Sequence, residues 1–147
     1  MGASQRPGTP MPRLPSIRRW IWDGEFCGVV GFRWQRGTER LPAHVLGHIG
    51  YAVVPWKRQA GCATWGLRSM LLEAQWRHLA YVEISTSPHN LASRRVIERN
   101  AGVVVDAFVT PRALGAEPAL RYRVALVPAS GRLEQRRTQR GAATWPA

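Results

Sequence analysis

A chain of 147 residues that is 45% hydrophobic and 20% charged has the size and composition of one globular domain with one core. No apolar run reaches the roughly 18 residues of a membrane span, and the segment holding Pro7, Pro10, Pro12 and Pro15 lacks the apolar stretch of a secretory signal, so a soluble cytoplasmic protein is expected. The net charge of +12 invites a nucleic-acid partner, but Arg6, Arg13, Arg18 and Arg19 crowd the first twenty residues without an acid, and residues 128–147 carry four arginines against Glu134, so the excess reads mainly as solvated tails.

Residues 1–16 are rich in proline, glycine and serine and are expected to be disordered. Order begins near Ile17. Trp20 to Trp22 reads as a short strand, joined by the turn signal Asp23-Gly24 to a second strand, Phe26 to Trp34. After a polar loop from Gln35 to Pro42, Gly47 to Val54 forms a third strand. Ile49, Tyr51 and Val53 share one of its faces, and His48, Gly50, Ala52 and Val54 the other. From Gly61 the period changes to 3.6: Ala63, Leu67, Met70, Leu71, Ala74 and His78 occupy about a quarter of a helical circumference. Trp65, Leu72 and Trp76 make a second apolar stripe nearly opposite, for which a covering element or second chain is expected. Residues 80–86 read as a strand closed by Ser87-Pro88-His89. Asn90 is placed to cap a second helix carrying Ala92, Val96 and Ile97, with Gly102 as its stop. Val103 to Val109 and Leu120 to Val127 are the last strands, separated by a loop with Pro111, Gly115 and Pro118. Beyond Pro128 a disordered basic tail is expected. The order is β-β-β-α-β-α-β-β, a mixed α/β domain with a mostly antiparallel sheet and two main helices.

Cys27 and Cys62 stand in no metal-ligand spacing and are expected to be free thiols, with no metal required. The sequence has neither GxxxxGK[ST] nor GxGxxG, which excludes the common triphosphate and dinucleotide loops. Residues 48–64, HIGYAVVPWKRQAGCAT, nevertheless run strand, basic turn, helix start. Unpaired amides at a helix N-terminus and the positive end of its dipole favour an anion there, which makes Arg58 to Ala63 a candidate phosphate cradle.

Arg58-Gln59-Ala60-Gly61-Cys62-Ala63 resembles the Arg/Gln-x-x-Gly-x-Gly/Ala signature of the GNAT superfamily of N-acetyltransferases. The approach Val53-x-Pro55, the helix after the signature, Asn90-Leu91-Ala92-Ser93 after the next strand, and the segment from Ser93 to Gly102 lie where that family places its counterparts. The likeness spans about residues 17–127. It implies the acyl-CoA N-acyltransferase fold, shortened at the N-terminus because only the proline-rich segment precedes the first hairpin. It also implies acetyl-CoA as co-substrate. The pyrophosphate would lie over the amides of Gln59, Ala60, Gly61, Cys62 and Ala63, with Thr64 and Asn90 nearby and Arg58 flanking. The pantetheine arm would run beside Val53 and Val54, where two strands splay apart. The implied chemistry is direct attack of a primary amine, on a small molecule or a protein N-terminus, with a backbone amide near Val53 or Val54 facing the oxyanion. The position where many relatives carry a tyrosine acid holds Ile97, so Ser93 is the candidate proton donor. His48 and Glu83 are the candidate bases and His89 a looser third. A missing acceptor-side wall would leave apolar surface open to self-association, and a homodimer is a candidate. The alternatives are a catalytically impaired remnant that binds CoA or a partner protein, and a basic RNA- or ribosome-associated module.

Overall fold

The computed structural model describes residues 13–127, and the tail assignments at residues 1–12 and 128–147 lie outside the described residues. Six strands and two helices form in the expected order: β1 (Ser16–Trp22), β2 (Phe26–Arg33), β3 (Ile49–Val53), α1 (Cys62–Trp76), β4 (Tyr81–Thr86), α2 (Leu91–Arg99), β5 (Val103–Val109) and β6 (Pro118–Ala125). They divide into two three-stranded sheets, β1-β2-β3 and β4-β6-β5, and every named strand pair is antiparallel.

β1 is longer than the Trp20 to Trp22 core of its pattern. It is an edge strand whose open face tolerates Arg18, so only Ile21 is fully buried and the alternation is hard to see from sequence. β2 is the centre of its sheet, with Val30 and Phe32 turned inward onto α1. The inward side chains of both sheets, Val30, Phe32, Ile49, Val82, Ile84, Tyr122 and Val124, close one core with Leu67, Met70 and Ala74 of α1 and Ile97 of α2. Each fully buried aliphatic side chain there contributes roughly 1.5–3 kcal/mol by leaving water.

α1 ends before His78, contrary to the helical stripe that includes it. His78 has φ 60°, a left-handed conformation that stops the helix, and Arg77 is its C-cap. The end of α2 differs in a related way. Ala101, at φ 65°, makes the left-handed turn expected of Gly102, while Gly102 is required for space, since a Cβ there would lie 2.3 Å from Ile97 Cγ2. Trp65 and Trp76 of the second stripe are 64% and 70% exposed, and no described element covers them. Among the described residues no helix is long and apolar enough to cross a membrane.

The two sheets meet at one point. The His48 N–H donates to the Glu83 carbonyl at 2.7 Å, and the Glu83 N–H donates to His48 Nδ1 at 2.9 Å. The Ser85 hydroxyl donates to the Leu46 carbonyl beside them. Beyond this junction β3 is paired only with β2, so its other edge, from Ile49 to Val53, opens away from β4.

Candidate functional site

The turn before α1 is shaped by backbone conformation. After a short 3-10 turn at Pro55–Lys57, Gln59 and Gly61 both adopt left-handed φ, 63° and 80°. Gly61 is the N-cap, and it can offer no side chain to the first turn of the helix. Trp65 is the first helical residue whose N–H reaches a carbonyl, Gly61 O at 3.0 Å. Among the described residues the amides from Gln59 to Thr64 have no backbone partner, and they gather at the positive end of a 15-residue helix.

A cleft of about 780 Å³ lies over these amides. Its floor is Gln59, Gly61, Cys62, Ala63 and Thr64. One wall is the open edge of β3, from Tyr51 to Val53, and the other is the start of α2, with Asn90, Ser93 and Val96. Lys57, Arg58, Arg95 and Arg99 line it as well, and none of its lining residues carries a carboxylate. Arg95 and Arg99 were missed in the sequence; they stand four apart on α2, a spacing that places both on one helical face. Lys57 is engaged elsewhere, its ammonium 3.0 Å from Asp23 and 3.2 Å from Glu25. Hydrogen bonding to Asp23, then to Glu25, raises its pKa, so it stays charged.

The cleft walls are held by side chains that local patterns do not reveal. Asn100 is buried, and its Nδ2 donates to Thr64 O at 3.3 Å and to Val96 O at 3.0 Å, tying α2 to the first turn of α1. Asn90 caps α2 as expected, its Oδ1 accepting from the Ser93 N–H at 3.1 Å. Arg94 turns away, donating to Tyr122 Oη at 3.0 Å, while Tyr122 donates to Glu98.

Ser93 does face the parting of the strands, and there it meets Tyr51. Their hydroxyls are 2.8 Å apart, and the Tyr51 hydroxyl also lies 3.3 Å from the Ser93 carbonyl. Burial raises the Tyr51 pKa, against a smaller opposite effect of the Ser93 hydrogen bond, and keeps the phenol protonated. Tyr51 was legible only as a face-mate of Ile49 and Val53.

The structure does not bring His48, Glu83 or His89 to the cleft lining. The buried His48 ring is used at both nitrogens: Nδ1 accepts from Glu83 N–H, and Nε2–H donates to Glu39 O at 2.9 Å. That arrangement requires the neutral tautomer, and desolvation accordingly lowers its pKa. Glu83 faces Arg123 at 3.4 Å and Arg121 at 3.9 Å. His89 is exposed in the turn before α2. Of the two strand-end residues beside the cleft, Val54 donates its N–H to Cys27 O at 2.8 Å. Strand alternation then turns the Val53 N–H the other way, into the opening.

A sheet that parts beside a helix N-terminus and a basic cleft makes this an α/β domain suited to an extended, anionic ligand lying across the parting. The sequence matches the family model for the acetyltransferase (GNAT) domain over residues 15–102, more than half of its length, and the chain belongs to that family. A structure described as a probable acetyltransferase is 19% identical, with TM-score 0.59 over 75% of this chain and 62% of that one. A GNAT-family acetyltransferase from Streptococcus pneumoniae is 12% identical, with TM-score 0.61 over 76% of this chain and 67% of that one. The yncA protein of Salmonella typhimurium, solved with its cofactor acetyl-CoA, is 16% identical, with TM-score 0.57 over 71% of this chain and 60% of that one. At these identities the likeness is one of fold, and the chain spans under two thirds of the length of the first and third. No curated protein matches the sequence significantly.

Proposed function

We propose that the chain is an acetyl-CoA-dependent N-acetyltransferase that transfers the acetyl group to a primary amine by direct attack. The observation that carries this reading is the run of amides from Gln59 to Thr64 without a backbone partner among the described residues, all of them but Ala60 belonging to residues that line a cleft shared with Arg58, Arg95 and Arg99. A pyrophosphate there accepts three or four charge-assisted hydrogen bonds of roughly 1.5–3 kcal/mol each, in the range of the ~8 kcal/mol of a micromolar complex. Arg95 and Arg99 suit the remaining phosphate charge of the cofactor.

The pantetheine arm then lies along the open edge of β3, where the amides of Tyr51 and Val53 pair with its own, as an added strand would. Val53 N–H is assigned the thioester oxygen, because the Val54 N–H is already bound by Cys27 O. The amine attacks the thioester carbon, the C–S bond breaks, and the thiolate takes a proton. The donor we assign is the hydrogen-bonded hydroxyl pair of Ser93 and Tyr51. No imidazole or carboxylate lines the cleft among the described residues, so the amine proton is assigned to water.

A second reading, a CoA-binding protein without transfer activity, is favoured by one observation. Among the described residues no helix or strand covers the face of β1-β2-β3 turned away from α1, where Trp20 is 73% exposed and Gly50 and Ala52 are open. Acetyl-CoA titration followed by a transfer assay over a panel of amines separates the two. Binding with release of free CoA in the presence of an amine supports transfer; binding without release for any amine supports the second reading; no binding refutes both.

A further inference from the structure

Cys27 and Cys62 are 35 positions apart in sequence, yet the fold brings their sulfurs together. With an Asp23 carboxylate oxygen they form a group whose atoms all lie within 4.8 Å of one another. Both thiols are free and buried. Cys27 is on the central strand of its sheet, while Cys62 is the first residue of α1 and lines the cofactor cleft. The Asp23 carboxylate is held by Lys57, with both oxygens within 3.1 Å of the ammonium, and the Cys27 thiol, 3.5 Å from the Glu25 carbonyl to which it donates, sits between Asp23 and Cys62.

We propose that Cys27 and Cys62 are a site of reversible disulfide formation by hydroperoxides, and that closing the disulfide weakens acetyl-CoA binding. The reaction starts at Cys62, the thiol that lines the cleft. Its thiolate attacks the peroxide, the O–O bond breaks, water or an alcohol leaves, and Cys62 becomes a sulfenic acid. The Cys27 sulfur then attacks the Cys62 sulfur, losing its own proton as the sulfenic oxygen departs as water. The dithiol is oxidised by two electrons and the peroxide reduced by two. Cys27 suits the resolving role: it has no contact with solvent, and desolvation, aided by the hydrogen bonds its S–H donates to Cys62 and Asp23, pushes its thiol up to about 11. It therefore waits as a thiol until a sulfenic acid forms beside it.

The effect on the cofactor follows from which side yields. The sulfurs must close to about 2 Å. β2 is hydrogen-bonded on both edges, to β1 and β3, whereas the first turn of α1 is a helix end with its leading amides unpartnered. The helix end moves, and the amides of Gly61, Cys62 and Ala63 leave the positions that suit a pyrophosphate. Loss of one charge-assisted hydrogen bond corresponds to roughly tenfold or more in Kd. This consequence rests on the acetyl-CoA reading; formation of the disulfide does not.

The full chain is treated with hydrogen peroxide, alkylated, and mapped by mass spectrometry without reductant, with acetyl-CoA titrated before oxidation, after it, and after reduction. The expected result is a Cys27–Cys62 linked peptide, slower linkage when acetyl-CoA is present, and a loss of affinity of about tenfold or more that reductant restores. Cys27→Ala is expected to form no intramolecular link and to show no affinity loss that reductant reverses. Two alkylatable thiols after peroxide, a sulfinic acid at Cys62 without linkage, or a linked protein with unchanged affinity each overturns the proposal. If the reduced chain does not bind acetyl-CoA at all, the cofactor reading fails, and the linked peptide still decides whether the disulfide forms.

Discussion

Replacing Gly61 with valine probes the cradle at its centre. Gly61 has φ 80°, and a Cβ built on it meets no atom within 4 Å, so the protein itself has room for a side chain and resists only its backbone conformation. Holding a non-glycine residue in the left-handed region costs about 1–2 kcal/mol, and more for a β-branched one, which for a domain of this size lowers Tm by roughly 5–10 °C without unfolding it. The open space is where we propose the pyrophosphate lies, so the valine methyls would occupy ligand volume and the strained backbone would re-aim the neighbouring amides. Losing two charge-assisted hydrogen bonds removes roughly 3–6 kcal/mol, a fall of about 10²–10⁴ in acetyl-CoA affinity. Calorimetric titration of folded Gly61→Val, with its stability measured in urea, reads both quantities. A folded variant that binds acetyl-CoA within about threefold of the parent chain rules out a pyrophosphate at Gly61.

Four further outcomes follow from the same geometry. Arg95→Ala combined with Arg99→Ala weakens acetyl-CoA binding by about tenfold at low salt and by less at high salt, because exposed charges are screened; salt-dependent titration checks this. Tyr51→Phe lowers kcat by about 10²-fold with KM nearly unchanged if the phenol supplies the proton to the departing thiolate. Since burial raises the Tyr51 pKa, the loss of kcat in the parent chain at alkaline pH sets in above the ordinary tyrosine value of 10.0, and a pH–rate profile reads it. His48 has a pKa below its ordinary 6.5, so the stability it gives as a neutral ring is present above that value and is lost as pH falls through the lowered one. In His48→Gln this acid destabilisation is reduced, baseline stability is lower by about 2 kcal/mol for the lost buried hydrogen bonds, and kcat of the folded protein is kept; urea unfolding at several pH values and a transfer assay test all three.

The elements and the turn that leads into α1 were legible because they are local. A helical period after a strand period, a glycine in a basic turn and an asparagine three residues before Ser93 are short-range patterns, and each corresponds to the feature that forms there. The residues that organise the cleft across the fold were not. Tyr51 and Ser93 are 42 positions apart, Thr64 and Asn100 are 36, and no window on the chain places either pair together. His48 illustrates the converse. A histidine on a strand beside a glutamate on the next resembles a base and its partner. The structure instead spends both ring nitrogens on backbone groups where β3 would otherwise lack a neighbour, joining the sheets at the point from which they part. Cys27 and Cys62 show the same limit, since metal or disulfide spacing is read along the chain and these thiols meet only through packing of α1 on β2.

The amides from Gln59 to Thr64 are proposed to hold the phosphates of acetyl-CoA. Amide-resolved NMR titration of the full chain with acetyl-CoA tests it residue by residue. The largest shifts are expected, saturating together, at Gln59 to Thr64, with smaller ones at Tyr51 and Val53 on the open strand edge. Saturable binding whose shifts fall elsewhere, leaving the first turn of α1 unmoved, contradicts this expectation.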